Sequence, residues 1–243
     1  MLSEKKANLC QTKVNYLGLE IEEGKHHLQP HVLNNIQNFP SAISDKTQLQ
    51  RFLGCLTYAE AYIPKLAEMR KPLQAKLKKD VLWSWKDSDT AYVEKVKRQV
   101  KNLPVLYHPG PEGQMIIETD ASKDFWGAVL KAKTSNGEQL CRYTSRSFVG
   151  AELNYHNNEK EYLTAEKAIK KFGIYVISQR FIVRCDNRNF GHFLRTNVSG
   201  DYKQGRVIRW QQWFNHYKFD VEFIESKNNS LADALTRELS VQV

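Results

Sequence analysis

Apolar positions change their spacing along the chain, and the changes predict its elements. Between Val14 and Leu28 the residues Val14, Tyr16, Leu17, Leu19, Ile21 and Leu28 flank a polar Glu22-Glu23-Gly24-Lys25. A glycine that tolerates positive φ at such a turn predicts a β-hairpin. The spacing then lengthens to three and four. Val32, Leu33 and Ile36 share a face in Pro30 to Asn38, closed by Pro40; Leu49, Phe52, Leu53 and Leu56 follow the Ser44/Asp45 cap signal through about Tyr58. Leu66, Met69, Leu73 and Leu77 continue the pattern from Ile63 to Leu77. These stretches predict a small helical bundle. One more helix is expected from Asp87 to about Asn102, after Trp83-Ser84-Trp85, followed by the breakers Pro104, Pro109, Gly110, Pro111 and Gly113. The boundary between two domains is therefore expected within Val81 to Gly113, dividing the chain into 1–85 and 86–243, the second with its core in 114–240.

Beyond Gln114, strands are predicted at Met115 to Asp120, Phe125 to Lys131 and Leu140 to Phe148, with Ser135-Asn136-Gly137 turning the last pair. A long helix follows from about Asn158 to Ile177. Then come a strand Arg180 to Cys185, a short helix around Phe190 to Leu194, a helix Gly205 to Tyr217, a strand Phe219 to Ile224 and a helix Ser230 to about Leu239. Three antiparallel strands, a crossover helix, and then alternating elements describe an α/β mixed sheet covered by helices.

The 243 residues, 41% of them hydrophobic, suffice for one large domain or two small ones. No run approaches the roughly 20 apolar residues that cross a bilayer, and the polar start lacks a signal peptide's apolar core, so neither secretion nor a membrane is expected. Cys10, Cys55, Cys141 and Cys185 form no CxxC pair, which argues against a disulfide framework or a thiolate zinc site. His26, His27 and His31 read as polar turn and loop residues, because no further ligands accompany them. A net charge of +9 favours a polyanionic partner, although it also serves solubility. Lys65, Arg70, Lys71, Lys76, Lys78 and Lys79 interleave with the helical apolar positions; they suit a phosphate backbone, or simply a solvated face. Trp83 and Trp85 suit stacking on bases or, more simply, packing at the domain junction.

The candidate chemistry is acidic. Two strands end alike, on Asp120 and on Asp186, and so place carboxylates at one end of one sheet. In the long helix, Glu159 and Glu161 point roughly 200° apart at about 100° per residue. Glu161 shares its face with Ala165, Ala168 and Phe172, whereas Glu159 shares its face with Leu163, Glu166 and Lys170, so Glu161 is expected to look toward the sheet. Asp233 opens the last helix. Each acid has a plainer reading: a turn former for Asp120 and Asp186, a first-turn helix acid for Glu161, a capping-box member for Asp233. Together, converging carboxylates repel unless cations neutralise them, and magnesium, which takes oxygen ligands, is the natural candidate.

Thr119-Asp120-Ala121-Ser122, Asn158-Glu159-Lys160-Glu161-Tyr162-Leu163, Cys185-Asp186-Asn187, Gly205-Arg206-Val207-Ile208-Arg209-Trp210 and Asn229-Ser230-Leu231-Ala232-Asp233-Ala234-Leu235-Thr236-Arg237 resemble, in order, the signatures of the RNase H domain of reverse transcriptases. The resemblance is to gypsy-type LTR retrotransposons and, closer, to the enzymatic polyprotein of plant pararetroviruses, the caulimovirus family. Tyr16-Leu17-Gly18-Leu19-Glu20-Ile21 is similar to the last hairpin of the polymerase palm. Leu49-Gln50-Arg51-Phe52-Leu53-Gly54 through Tyr62-Ile63-Pro64 and Lys71-Pro72-Leu73 are similar to the thumb and connection. The resemblance implies an RNase H-like fold preceded by a hairpin and a helical thumb/connection. It further implies a tetrad of Asp120, Glu161, Asp186 and Asp233 holding two Mg²⁺ ions, with Mn²⁺ as a substitute, and hydrolysis of the RNA strand of an RNA:DNA hybrid. Implied too are upstream fingers and palm as partners, and a place in the host cytoplasm or a virus-like particle.

Two departures qualify the resemblance. The chain reads Ile224-Glu225-Ser226-Lys227-Asn228-Asn229 where many RNases H carry a histidine before the last helix, and His216 lies too far back to replace it. No adjacent Asp-Asp pair occurs, so the polymerase motif is absent from this sequence. A noncatalytic module that grips hybrid is the rival reading, but a pure binder has no need of four converging acids.

Overall fold

The computed structural model describes residues 10–110, 113–195, 205–225 and 229–236, with the side chains of Ser230, Asp233 and Ala234 outside that description. The segment around Gly24 is a meander of three strands where the apolar pattern predicts one hairpin. β1 (Lys13–Tyr16), β2 (Leu19–Glu22) and β3 (Lys25–Leu28) pair antiparallel. Both turns have two residues with positive φ, Leu17-Gly18 (46° and 74°) and Glu23-Gly24 (48° and 71°), the backbone that matches strand twist in a tight hairpin. The first turn is hidden in the sequence because a leucine occupies a left-handed position. It is fixed by the Tyr58 hydroxyl, which donates to the Leu17 carbonyl.

The predicted helices follow as α1 (Pro30–Gln37), α2 (Lys46–Tyr58), α3 (Leu66–Ala75) and α4 (Asp87–Gln99). The Asp45 carboxylate caps α2 by accepting from the Gln48 N–H at 2.8 Å. The predicted Ile63–Leu77 helix begins three residues late, because Lys65 stands in the left-handed region at φ 58°. A two-residue strand, β4 (Leu106–Tyr107), returns to pair with β3 and completes the first sheet. Leu49, Phe52, Leu56, Leu66 and Leu73 form one core with Val93 and Val96 of α4, with Val100 just after it and with Leu106. By packing, the change from one core to the next thus lies between Leu106 and Met115, beyond residue 85. Trp83 and Trp85 stack on each other at 5.6 Å against this core, and the Trp85 indole N–H donates to Thr90, so they serve packing.

The second core surrounds a five-stranded sheet: β5 (Gln114–Ala121), β6 (Phe125–Thr134), β7 (Gly137–Ser147), β8 (Phe181–Cys185) and β9 (Phe219–Phe223), in the order β7-β6-β5-β8-β9. β5, β6 and β7 run antiparallel, while β8 and β9 join parallel to β5 through helical crossovers. This is the mixed α/β sheet with flanking helices that the sequence predicts. Met115 and Ile117 of β5 face α5 (Asn157–Val176), whose Ala165, Ala168 and Phe172 are buried against the sheet. α6 (Phe190–Arg195) and α7 (Gly205–Phe214) extend that layer through Phe190, Phe193, Trp210 and Phe214. On the opposite face, Ala232 and Leu235 of α8 (Ser230–Thr236) cover Val129 and Tyr143. Gly127 permits this approach: a Cβ there would lie 2.6 Å from that of Leu235. The part of the predicted last helix beyond Thr236 lies outside the described residues.

The two cores meet across polar contacts on β7. The Glu60 carboxylate, in a 3-10 turn (Glu60–Tyr62), accepts from Arg146 at 2.7 Å and from Thr144 at 3.1 Å, with the Lys171 ammonium at 3.4 Å. The Ala67 N–H donates to the Ser145 hydroxyl at 3.1 Å, and Lys71 pairs with Asp124 at 2.6 Å.

Candidate metal centre

The register of the sheet decides where the acids fall. β5 and β8 pair as Ile116 with Ile182, Ile117 with Val183 and Glu118 with Arg184, and the side-chain period of two then sets Asp120 and Asp186 on one face at the same sheet end. Glu161, in the second turn of α5, reaches the same place. Asp120, Glu161 and Asp186 each offer an oxygen within 4.8 Å of the others. Asp120 is buried, and its carboxylate accepts from the Thr236 hydroxyl of α8. One Glu161 oxygen accepts from the Ala121 N–H at 3.2 Å; the other is buried with no hydrogen-bond partner among the described residues. Burial first, and then the charges of Asp120 and Asp186, push the Glu161 carboxyl well above the ordinary carboxylate range.

The choice between the two glutamates follows the helical face, with one addition. Glu159 is buried as well, but its oxygens accept from the His156 N–H at 3.0 Å and from Arg206 at 2.6 Å. Arg206 also lies over the Tyr155 ring at 4.4 Å. Glu159 is thus neutralised locally and joins α7 to the start of α5, whereas Glu161 faces two other carboxylates. Asp233 falls within α8, and its side chain lies outside the described residues. The start of α8 is anchored at the centre by Asn229, which is fully buried and donates to the Thr119 carbonyl at 3.1 Å.

A buried, unpartnered carboxylate oxygen among like charges is a costly arrangement that a divalent cation would relieve. The donors are all oxygens, the set preferred by hard ions, so these residues fit a magnesium-class cation. Beside them opens a cleft of about 740 Å³. Lys123, Lys160 and Arg188 line it, and Asn187 donates to Asn158 at 3.1 Å across it. Those three cations escape sequence reading; their only signal is a basic residue within three positions of each acid. A larger open cleft, about 920 Å³, runs from Lys25 and Tyr107 to Asn136 and Gln139 and has no such donor cluster.

Of the six basic residues singled out in the helical half, several are engaged within the protein. Lys71 pairs with Asp124 and lies over the Phe125 ring, Lys76 pairs with Asp89 at 2.7 Å, and Arg70 is half-buried. Lys78 and Lys79 are exposed and Lys65 is half-exposed. His27 pairs with Glu20, His26 bonds the Tyr62 hydroxyl, and among the described residues the acidic triad is the one cluster of metal-ligand type. Cys141 and Cys185 are buried, Cys55 partly so and Cys10 exposed, and all four are free thiols. No helix of the described residues is long and apolar enough to cross a membrane.

Residues 85–183 match the family described as RNase H-like domain found in reverse transcriptase. The chain is 58% identical over 99% of its length to the enzymatic polyprotein of figwort mosaic virus and 55% identical over 97% to that of carnation etched ring virus. It is 54% identical over 99% to the polyprotein of cauliflower mosaic virus, and it spans 36% of each of these relatives. In fold it is similar to the foamy viral protease-reverse transcriptase solved in complex with RNA/DNA hybrid: TM-score 0.74, 21% identity, covering 91% of this chain and 30% of that one. The foamy viral enzyme in complex with dsDNA gives the same TM-score at 22% identity, over 91% and 47%. By sequence along nearly all of its length, and by the sheet and helices just described, the chain belongs with the caulimovirus enzymatic polyproteins and carries an RNase H-like domain of the kind found in reverse transcriptase.

Proposed function

We propose that this chain hydrolyses the RNA strand of RNA:DNA hybrids in a magnesium-dependent reaction, leaving a 3′-hydroxyl and a 5′-phosphate. The observation that carries the reading is the converging triad of Asp120, Glu161 and Asp186, with one buried Glu161 oxygen left unpartnered. Asp120, Glu161, Asp186 and Asp233 would together hold the ions. Bound there, two Mg²⁺ ions, or Mn²⁺ in their place, supply the nucleophilic water and the charge stabilisation of an in-line displacement at phosphorus. The chain's own residues do the rest. The Ala121 N–H and the Thr236 hydroxyl fix two of the carboxylates, so that little reorganisation accompanies the reaction. Lys123 and Arg188 give the cleft positive charge where a phosphate backbone would lie, with the buried Lys160 behind them, its ammonium donating to the Lys123 carbonyl. Distinguishing RNA from DNA requires contact with the 2′-hydroxyl, which the polar wall of Asn158 and Asn187 suits.

The hybrid is the proposed substrate; of Lys65, Arg70, Lys71, Lys76, Lys78 and Lys79, the exposed Lys78 and Lys79 and the partly exposed Lys65 are proposed to supply most of the backbone contact and the engaged Arg70, Lys71 and Lys76 less, with upstream fingers and palm as partners in the intact polyprotein. Residues 1–85 and 86–243 are proposed as the thumb/connection and RNase H units, with α4 of the second packing back on the core of the first, acting in the host cytoplasm or a virus-like particle. The test is cleavage of a labelled RNA:DNA hybrid by this chain with and without Mg²⁺. Cutting of the RNA strand only when Mg²⁺ is present is expected; binding of hybrid without cleavage would leave the noncatalytic module instead.

A further inference from the structure

One side chain from each of the five strands joins a continuous ion network on the face of the sheet that also bears Asp120. Glu138 on β7, Lys131 on β6, Glu118 on β5, Arg184 on β8 and Glu222 on β9 follow the order of the strands. Arg184 is its hub. It donates to Glu138 at 2.6 Å and to Glu222 at 2.8 Å, and it lies 3.4 Å from Glu118, whose other cation is Lys131 at 2.7 Å. The Glu118 side chain is only 3% exposed, so this is no ordinary solvated surface pair.

The position of the network gives it a task. Glu118 and Arg184 are the last registered pair of the parallel β5–β8 ladder, and Asp120 and Asp186 follow each of them by two residues. One side-chain period therefore separates an attractive pair from a repulsive one on the same two strands. Mutual repulsion of Asp120, Glu161 and Asp186 pushes these strand ends apart, and the hydrogen-bonded fork of Arg184 holds them at the nearest place where the register is still closed.

We infer that Arg184 and Glu118 are positioning residues for the acidic centre, holding Asp120 and Asp186 at ligand spacing before any cation binds. The inference rests on the reading of the triad as a cation site. It has a sign that distinguishes it from a bulk charge effect. Removing the Arg184 charge makes the surroundings more negative, which by electrostatics alone would tighten cation binding; loss of preorganisation loosens it.

The experiment uses the full chain and reads the Mn²⁺- or Mg²⁺-induced rise in melting temperature without nucleic acid, alongside the Mg²⁺ concentration for half-maximal hybrid cleavage. Arg184→Met and the charge-balanced pair Glu118→Gln/Arg184→Met should each raise the metal concentration needed about tenfold, the scale of losing a residue that orients metal ligands. Arg184→Lys, which keeps the charge but loses the fork, should fall between these and the wild type. Unchanged or tighter metal binding in Arg184→Met, with a simple drop in metal-free stability, would overturn the inference and leave a structural network. Should that variant fail to fold, Glu222→Gln trims only the more exposed end and should weaken metal binding modestly in the same direction; no change there overturns it too. A wild-type chain that binds metal but cuts no hybrid would sink the hydrolase reading alone, with the order of metal affinities among the variants still deciding this one.

Discussion

Two buried carboxylates in this protein meet opposite fates. Glu60 sits where the helical core meets β7, and Glu161 sits where α5 meets the ends of β5 and β8. Burial by itself would raise both. Around Glu60, the Arg146 guanidinium, the Lys171 ammonium and the Thr144 hydroxyl outweigh burial and hold the carboxyl below its ordinary value. Around Glu161 the neighbours are further acids, which add to burial and drive it up. A carboxylate that joins two parts of a protein is supplied with its counter-charges by the chain; one that serves a cation leaves that position to the ligand. The contrast separates a structural acid from a functional one more sharply than burial does, as Glu159 also shows, buried but paired with Arg206.

Activity should break the comparison most strongly. Asp120→Asn and Glu161→Gln should each lower hybrid cleavage by on the order of 10³-fold, since they remove charge from the metal centre. Glu159→Gln should lower it less than about tenfold, although it weakens the Arg206 tie. Single-turnover cleavage of a labelled hybrid measures all three, and a reversal between the glutamates would mean that α5 is misassigned by two residues.

Stability should invert that order. Glu60→Ala strands Arg146 and Lys171, both partly exposed, and should cost about 2 kcal/mol, less than a fully buried broken pair because water can reach the orphaned cations. Glu161→Gln in metal-free buffer should cost nothing or stabilise, because it relieves repulsion. Urea denaturation with chelator present compares the two.

The same junction gives a pH signature of smaller size. The Glu60 carboxyl is lowered from 4.5 in the folded chain. Its contribution is therefore complete at pH values above 4.5 and is lost as the pH falls through the lower folded value. The melting-temperature gap between the wild type and Glu60→Gln should be constant near neutrality and close on acidification. A gap that widens in acid would contradict the assigned pairing.

How much of this was legible in the sequence depends on the range of the cause. Strand ends at Asp120 and Asp186, and the choice of Glu161 from a helical face, are local or periodic, and the structure brings those three acids together. The first turn of the meander was hidden because Leu17 takes a left-handed backbone that composition disfavours, and β4 because two residues carry no period. The expected division at residue 85 puts α4 in the second unit, yet Val93, Val96 and Val100 complete the first core through contacts no local rule predicts. Glu60 did leave a signal, a lone charge inside Tyr58-Ala59-Glu60-Ala61-Tyr62-Ile63. Arg184 left less, because a strand arginine reads as solvated until the opposing strands supply three carboxylates.

The smallest expected effect concerns the basic residues of the helical half, where partners again decide. Removing residues 1–85 would not test them cleanly, because α4 would lose the core that buries Val93, Val96 and Val100. Substitution is the better route. Lys71 and Lys76 already face Asp124 and Asp89, so a phosphate would have to compete with a carboxylate for each, and neutralising them should alter hybrid affinity little. Lys78 and Lys79 are exposed and Lys65 partly so, and none of the three makes an ion pair among the described residues, which leaves room for a phosphate. Lys65→Gln/Lys78→Gln/Lys79→Gln should therefore flatten the slope of log affinity against log salt by up to about 0.9 for each phosphate that is no longer neutralised. The cleavage rate at saturating hybrid should stay near the wild-type value, since none of the three belongs to the triad. Lys71→Gln/Lys76→Gln should change the slope less, provided melting temperature shows the fold intact. Equal slopes for the wild type and the triple variant would show that this half does not touch nucleic acid and that its exposed lysines serve solubility. A larger change from the paired lysines than from the unpaired ones would break the comparison itself, because chain-supplied counter-charge would then fail to mark a structural role.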